Sequence, residues 1–240
     1  MSGDRKEAER AYPNLIEESW RQWLRTKPFG NTPRETARLL IDFGYAVQLL
    51  DLQPGMSLCE LGCGSGWMTR MAARHGLEAV GYDISPGMIE IAREQAEAEG
   101  VNVRFEVADM EEFDAHGRFD ACLVYDALHH SPRADLVIRT ARRALRPGGR
   151  FLLAEPNWKH RFQGRGASEQ WGVTELGYTP RALRKILREA GFVDVQRFHN
   201  NRKRLFGNRP LEVAAHLAEP LAYRVLGLFW TQIWLRATAC

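Results

Sequence analysis

A doubly wound α/β sheet is the fold this sequence predicts, on three observations. After Gly55, short apolar runs of strand length alternate with helix-patterned stretches, the form that a parallel sheet with crossover helices imposes. A glycine-rich turn, Gly62-Cys63-Gly64-Ser65-Gly66, joins the first of these runs to a helix, and an acidic residue, Asp83, ends the second. At 240 residues, 45% hydrophobic and 26% charged, the chain can bury the core of one large domain or two small ones without disulfides or a structural metal.

The elements follow in order. Asn14-Leu15-Ile16-Glu17 has the form of a capping box, so a first helix is expected after a loose beginning, with Ile16, Trp20, Trp23 and Leu24 on one face. Thr32-Pro33-Arg34-Glu35 starts a second helix that runs to about Leu50, and Leu52-Gln53-Pro54-Gly55 is a turn. Strands are expected at Ser57–Leu61, Glu78–Asp83, Val103–Val107, Phe119–Tyr125 and Arg150–Glu155. Between them lie helices at Gly66–Ala73, at Pro86–Glu99 with Ser85 as cap and Gly100 as stop, and at Ala134–Leu145, closed by Pro147-Gly148-Gly149. Thr179-Pro180 opens a further helix that Gly191 ends. Phe192–Phe198 reads as a sixth strand and Gln232–Ala239 as a seventh, with helical stretches Pro210–Ala218 and Pro220–Phe229 between them.

Charge and cysteine content exclude several classes. With 33 Lys+Arg against 30 Asp+Glu, no obligate polyanion partner follows. Arg181 to Arg209 gathers nine basic residues against Glu189 and Asp194, either a surface for RNA, anionic lipid or phosphorylated substrate, or a solvated helix face and loop. Met1–Arg10 is highly charged and has no apolar signal core, which reads as cytoplasmic. The longest apolar run, Leu221–Ala237, is broken by Arg224, Gln232 and Arg236 and does not suit a membrane span, although peripheral membrane contact stays open. Cys59, Cys63, Cys122 and Cys240 have no zinc spacing and read as small thiols of the interior.

Glu60-Leu61-Gly62-Cys63-Gly64-Ser65-Gly66 passes from a strand into a helix, so the backbone there can approach a ligand without Cβ obstruction. Asp83, at the tip of the second strand, suits the hydroxyls of a ribose. A dinucleotide fingerprint needs a third glycine at position 67, beneath a pyrophosphate, and Trp67 stands there instead. The pattern G-x-G-x-G with Glu60 before it suits a nucleoside ligand that lacks phosphate and carries a cationic amino-acid part, the form of S-adenosylmethionine.

Residues 55 to 155 resemble the core of the class I S-adenosylmethionine-dependent methyltransferases. Glu-Leu-Gly-Cys-Gly-Ser-Gly is similar to their first motif, Gly-Tyr-Asp83-Ile84-Ser to the ribose motif, and Ala-Asp109-Met110-Glu-Glu-Phe to the adenine motif. Phe119 to His130 is similar to the fourth motif, and the turn and strand at Leu145-Arg-Pro-Gly-Gly-Arg-Phe-Leu-Leu to the segment after it. The resemblance implies a Rossmann-like sheet of seven strands whose last strand is antiparallel. The chain is then one domain: a helical cap over 1–52, a cofactor-binding core over 53–199, a helical insertion over 200–231, and the last strand over 232–240. About thirty residues between strands six and seven, where a tight hairpin is usual, depart from the family pattern.

By that resemblance the cofactor residues are Glu60, Gly62, Cys63, Gly64, Gly66, Asp83, Ile84, Asp109, Met110 and Tyr125. Glu60 would face the methionine ammonium, or serve only as a carboxylate at a helix N-terminus, favourable by about 0.3–1 kcal/mol. Asp83 is left for ribose because Ser85 fills the cap before Pro86. Asp109 would accept from the adenine amino group, or be an ordinary loop acid. Tyr125 lines the sulfonium or the acceptor, or is a core aromatic. His129 and His130 are the candidate catalytic pair, one of them a general base, since a histidine takes a proton readily near neutral pH. Adjacent residues point in different directions and no clustered acidic or cysteine partner accompanies them, so no metal is expected there. Trp158, His160, Trp171, Glu175 and Tyr178, in the long segment after the fifth strand, are candidates for the acceptor pocket or for packing on the sheet.

The expected activity is methyl transfer from S-adenosylmethionine to a small-molecule, glycan-linked or lipid-linked acceptor, at oxygen. The alternatives are C-methylation of a quinone or isoprenoid acceptor, which the Leu-His-His ending of the fourth motif suggests by resemblance, or a scaffold that binds the cofactor without turnover. Nucleic acid is disfavoured because Asp126-Ala127-Leu128 stands where base methyltransferases carry an Asn-Pro-Pro-Tyr-type tetrapeptide.

Overall fold

A computed structural model describes residues 2–30, 32–198 and 232–240 of the chain. Ser2–Leu15 forms α1, Glu18–Thr26 α2 and Pro33–Leu50 α3. The expected start of the first helix is therefore corrected. Ser2–Leu15 is rich in Glu, Arg, Lys and Ala, strong helix formers, and forms a helix of its own. Asn14 lies in its last turn, and Glu17 precedes α2 without a side-chain capping bond. The start of α3 matches the sequence reading, since Thr32 Oγ1 accepts the Glu35 N–H at 3.2 Å with Pro33 in the first turn.

Seven strands make one sheet: β1 Ser57–Leu61, β2 Glu78–Asp83, β3 Arg104–Val107, β4 Phe119–Tyr125, β5 Leu145–Glu155, β6 Phe192–Phe198 and β7 Ile233–Ala239. Their order is β3-β2-β1-β4-β5-β7-β6, and β7 runs antiparallel between β5 and β6 while the other pairings are parallel. β5 begins at Leu145, five residues before its expected start. Phe119 pairs with Leu145 and Ala121 with Arg150, so Pro147, Gly148 and Gly149 bulge inside the strand instead of preceding it.

The crossover helices are α4 Trp67–Arg74, α5 Pro86–Ala98 and α6 Ala134–Ala144; α7 His160–Gln163, α8 Arg165–Trp171 and α9 Pro180–Glu189 follow β5. Alternate strand residues feed two cores. Cys59, Leu61, Val80, Cys122, Val124, Phe151 and Leu235 face α6 and α9, where Val137, Ile138, Leu183 and Leu187 are buried. Leu58, Ala121, Leu123, Leu152 and Trp234 face α3 and α4, against Leu39, Leu50 and Met68. Ile16 and Leu24 seat α1 and α2 on Ile91 of α5, which carries the N-terminal helices across the carboxyl ends of the strands.

The expected helical stretches at Pro210–Ala218 and Pro220–Phe229, and the whole 200–231 insertion with Arg202, Lys203, Arg204 and Arg209, lie outside the described residues. Among the described residues no helix is long and apolar enough to cross a membrane.

Candidate active site

The loop after β1 turns through three glycines with positive φ, Gly62 at 71°, Gly64 at 53° and Gly66 at 69°. A Cβ on Gly62 would strike the Ala127 side chain, and one on Gly66 would enter the Phe105 ring, so neither position admits a larger residue. Gly62 N–H and Cys63 N–H donate to Tyr82 O at 2.8 and 3.0 Å, which ties the loop to the end of β2. Gly64 N–H donates to Asp83 Oδ2 at 2.8 Å, and Ser85 N–H to Asp83 Oδ1 at 2.9 Å. Asp83 is thus already an anchor for the loop, beyond the free carboxylate that the sequence suggested. Burial pushes its carboxyl above the ordinary range, and the two backbone donors draw it partly back.

Over this loop lies a cavity of about 270 Å³. Glu60, Gly62, Cys63, Gly64, Asp83, Ile84, Asp109, Met110 and Tyr125 line it, while Gly66 lies outside the lining. Glu60 is buried, accepts from Thr69 Oγ1, and is pushed up to about 7, chiefly by burial. Burial likewise pushes the Cys63 thiol well up. Ser65 Oγ, also in the wall, is buried with no hydrogen-bond partner among the described residues. The Tyr125 ring lies edge-on to Trp67 at 5.8 Å, and its hydroxyl turns away to donate to Asp42 Oδ2 of α3.

The wall also holds residues that the sequence did not single out. Lys6, Glu9 and Tyr12 of α1 roof the cavity. Lys6 Nζ lies 2.6 Å from Asp109 Oδ2 and 2.7 Å from Glu111 Oε2, and Glu9 Oε1 accepts the Thr174 N–H at 2.8 Å. Lys27, just after α2, sits with Nζ 3.7 Å from the Trp23 ring centroid; burial lowers its pKa to about 8, with Asp126 opposing. No short-range pattern announces Lys6 and Glu9, because Asp109 and Thr174 are remote in sequence.

At the other end, Asp126 follows β4 with φ 53°, and this left-handed residue turns the chain into a 3-10 turn at Leu128–His130. Glu155, fully buried at the end of β5, accepts from Ala127 N–H at 2.9 Å, Leu128 N–H at 2.8 Å and His129 N–H at 3.2 Å, and pairs with His129 Nδ1 at 2.9 Å. A carboxylate oxygen only accepts, so Nδ1 carries the hydrogen, and in the neutral ring Nε2 then keeps its lone pair. His129 and His130 both line the cavity. His130 Nδ1 lies 3.0 Å from Thr174 O and 3.4 Å from Glu9 Oε1; burial lowers its pKa, but Glu9, Glu175 and Asp126 outweigh burial and raise it to about 9. Trp158, Trp171 and Tyr178 lie outside the cavity lining: Trp158 meets Phe162, Trp171 meets Tyr12, and Tyr178 Oη reaches Leu128 O at 3.4 Å.

The donors of the wall fit a particular kind of ligand. Two carboxylates, Glu60 buried and Asp83 half-buried, flank the glycine loop where a pyrophosphate would need cations, whereas an ammonium and ribose hydroxyls find acceptors. S-Adenosylmethionine has both.

Residues 58–149 match the family described as "Methyltransferase domain". The ubiquinone biosynthesis O-methyltransferase of Azorhizobium caulinodans is 32% identical over 120 residues, 50% of this chain and 47% of that protein. The chain spans about half the length of the curated relatives it matches. Among solved structures, a geranyl diphosphate methyltransferase in complex with GPP and sinefungin superposes with TM-score 0.63 at 18% identity, over 84% of this chain and 78% of that one. The phosphoethanolamine N-methyltransferase 2 of Haemonchus contortus, in complex with S-adenosyl-L-methionine, superposes with TM-score 0.63 at 18% identity, over 93% and 60%. At this identity the likeness bears on the fold alone. Motif order, strand order and sequence match meet over one stretch: residues 58–149 are similar to a methyltransferase domain, set on a sheet of order β3-β2-β1-β4-β5-β7-β6.

Proposed function

We propose that this chain moves the methyl group of S-adenosylmethionine to an oxygen of a small-molecule acceptor, free or linked to a glycan or lipid. The observation that carries the reading is a single cavity joining the acidic glycine wall, with Glu60 and Asp83, to His129, whose ring Glu155 holds at Nδ1. When bound, the cofactor supplies a methyl already activated by the sulfonium. Glu60 would face its ammonium, Asp83 its ribose, and Asp109 with Met110 its adenine. What remains for the protein is to place the acceptor in line and accept its proton, the task for which a neutral imidazole with a buried carboxylate behind it is suited. Oxygen as the methylated atom draws support from the ubiquinone biosynthesis O-methyltransferase relatives, over the half of each chain that matches.

The test is incubation with labelled methyl donor and fractionated cell extract, followed by identification of the labelled bond. A label in an O-methyl group of a small molecule, glycan or lipid agrees with the reading. Label at carbon would replace it with C-methylation. Cofactor binding without label in any fraction would replace it with a binding scaffold.

A further inference from the structure

Three side chains remote in sequence meet behind the 3-10 turn. His160, the first residue of α7, and Glu175, in the loop before α9, approach to 2.6 Å between Nε2 and Oε2. His129 Nε2 lies 4.0 Å from the same Glu175 oxygen, and the His129 and His160 rings meet edge-on at 4.5 Å between centroids. One donor atom from each of the three falls within 4.8 Å of the other two. We propose that His129, His160 and Glu175 form a site for one divalent transition-metal cation of the zinc type.

Four features support it. Two imidazoles and one carboxylate are a donor set that binds zinc and its first-row neighbours and leaves a coordination position open. Glu155 holds His129 Nδ1 at 2.9 Å, and a carboxylate behind an imidazole orients the ring and makes its other nitrogen a better ligand. Carboxylates also lie on both sides of the His129 ring: Glu155, fully buried, at Nδ1, and Glu175, only 11% exposed, 4.0 Å from Nε2. A dication offsets the cost of holding so much negative charge away from water. Finally, the frame is fixed. Leu176 N–H donates to His129 O at 3.0 Å, Asn157 bridges to Tyr178, and Gly164 packs so closely that an added Cβ would strike the Glu175 carboxylate. The sequence argued against a metal because no ligand lies near the two adjacent histidines; the partners come from two later segments of chain.

His129 is shared with the cavity, so the cation sits at the acceptor end. There its open position could take an acceptor hydroxyl and make it more acidic, so that the proton passes to solvent when the methyl arrives; His129 Nε2 then gives its electron pair to the cation and is no longer the base. That use rests on the methyl-transfer reading; the site itself does not.

The test is titration of the tag-free chain, stripped by chelator and dialysed, with Co²⁺ and then Zn²⁺ in the absence of S-adenosylmethionine. The expected result is one Co²⁺ per chain with the visible absorption of four- or five-coordinate cobalt, displaced by Zn²⁺. His160→Ala and Glu175→Gln should each abolish the band, and Glu155→Gln should weaken binding about 10–100-fold. S-Adenosylhomocysteine affinity, measured separately, should stay unchanged in the His160 and Glu175 variants, and its absence from the wild type would count against the methyl-transfer reading instead. A wild type that gives no stoichiometric cobalt spectrum, or binding that survives both substitutions, would overturn the site and leave a hydrogen-bonded ion pair only.

Discussion

Glu155 and His129 form a buried pair 2.9 Å apart in which the carboxylate, at the end of β5, also accepts the backbone N–H of the same histidine. The ring cannot change its tautomer or its heading without breaking the Nδ1 bond.

Glu155→Gln is therefore expected to cost function as well as stability. A carboxamide can donate to Nδ1 and hold the other tautomer, so turnover should fall about 10²- to 10⁴-fold while cofactor affinity stays nearly intact. Leaving buried donors short of an acceptor should also lower unfolding free energy by about 1–3 kcal/mol. Steady-state kinetics with the identified acceptor, beside denaturant unfolding, checks both; full turnover in this variant would remove the orienting role.

Asp83→Ala should weaken S-adenosylhomocysteine binding by about 1.5–3 kcal/mol, since the lost carboxylate both faces the expected ribose and holds Gly64 N–H at 2.8 Å. Calorimetry decides the matter, and the same instrument should detect no NAD binding. Unchanged affinity would withdraw the ribose assignment.

Cofactor affinity should rise with pH up to about 7. Burial holds Glu60 at about 7 in the folded protein, above the ordinary carboxylate value. Between those two values the folded state carries a proton that the unfolded state lacks. The stability this group contributes is present in acid and is lost as the pH rises through about 7. A ligand ammonium needs the ionised form, so binding expels that proton, and affinity should gain at most about tenfold per pH unit below the folded pKa. Glu60→Gln should flatten the curve. A wild-type affinity that is level from pH 5.5 to 8 would exclude contact between Glu60 and the ammonium.

A chain ended at Phe229 should fail to fold. β7 lies between β5 and β6, with Trp234 and Leu235 fully buried in opposite cores, so its removal parts the sheet and bares both faces. Circular dichroism and size exclusion read the outcome, and a soluble, cooperatively melting truncate would contradict the expectation.

The parts of the fold legible in the sequence were those with local causes. Apolar runs bounded by turns placed β1, β2, β4 and β6 at the ends where they occur, and Thr32 and Ser85 marked helix starts through bonds three residues long. What escaped notice depends on contacts across the chain. Met1–Arg10 looked loose because charge was all it displayed, yet Lys6 reaches Asp109 and Glu9 reaches Thr174, 103 and 165 residues away. Glu155 read as the last residue of a strand, since its partners sit 26 to 28 residues earlier. His160 and Glu175 gave no metal spacing because their common neighbour, His129, belongs to another segment.

The strand order also sets a timetable for the nascent chain. β1 to β5 pair with strands already made, so that part of the sheet can assemble as the polypeptide emerges. β6 cannot: its only strand neighbour, β7, is synthesised later, after the 34 residues that separate Phe198 from Ile233. Until then Phe192 and the apolar face of α9 have no finished sheet to join, and closing that loop carries an entropic cost that only the completed pairing offsets. The ribosome thus releases a protein whose cofactor half precedes its edge, and an interval in which β6 waits is when a chaperone would find it.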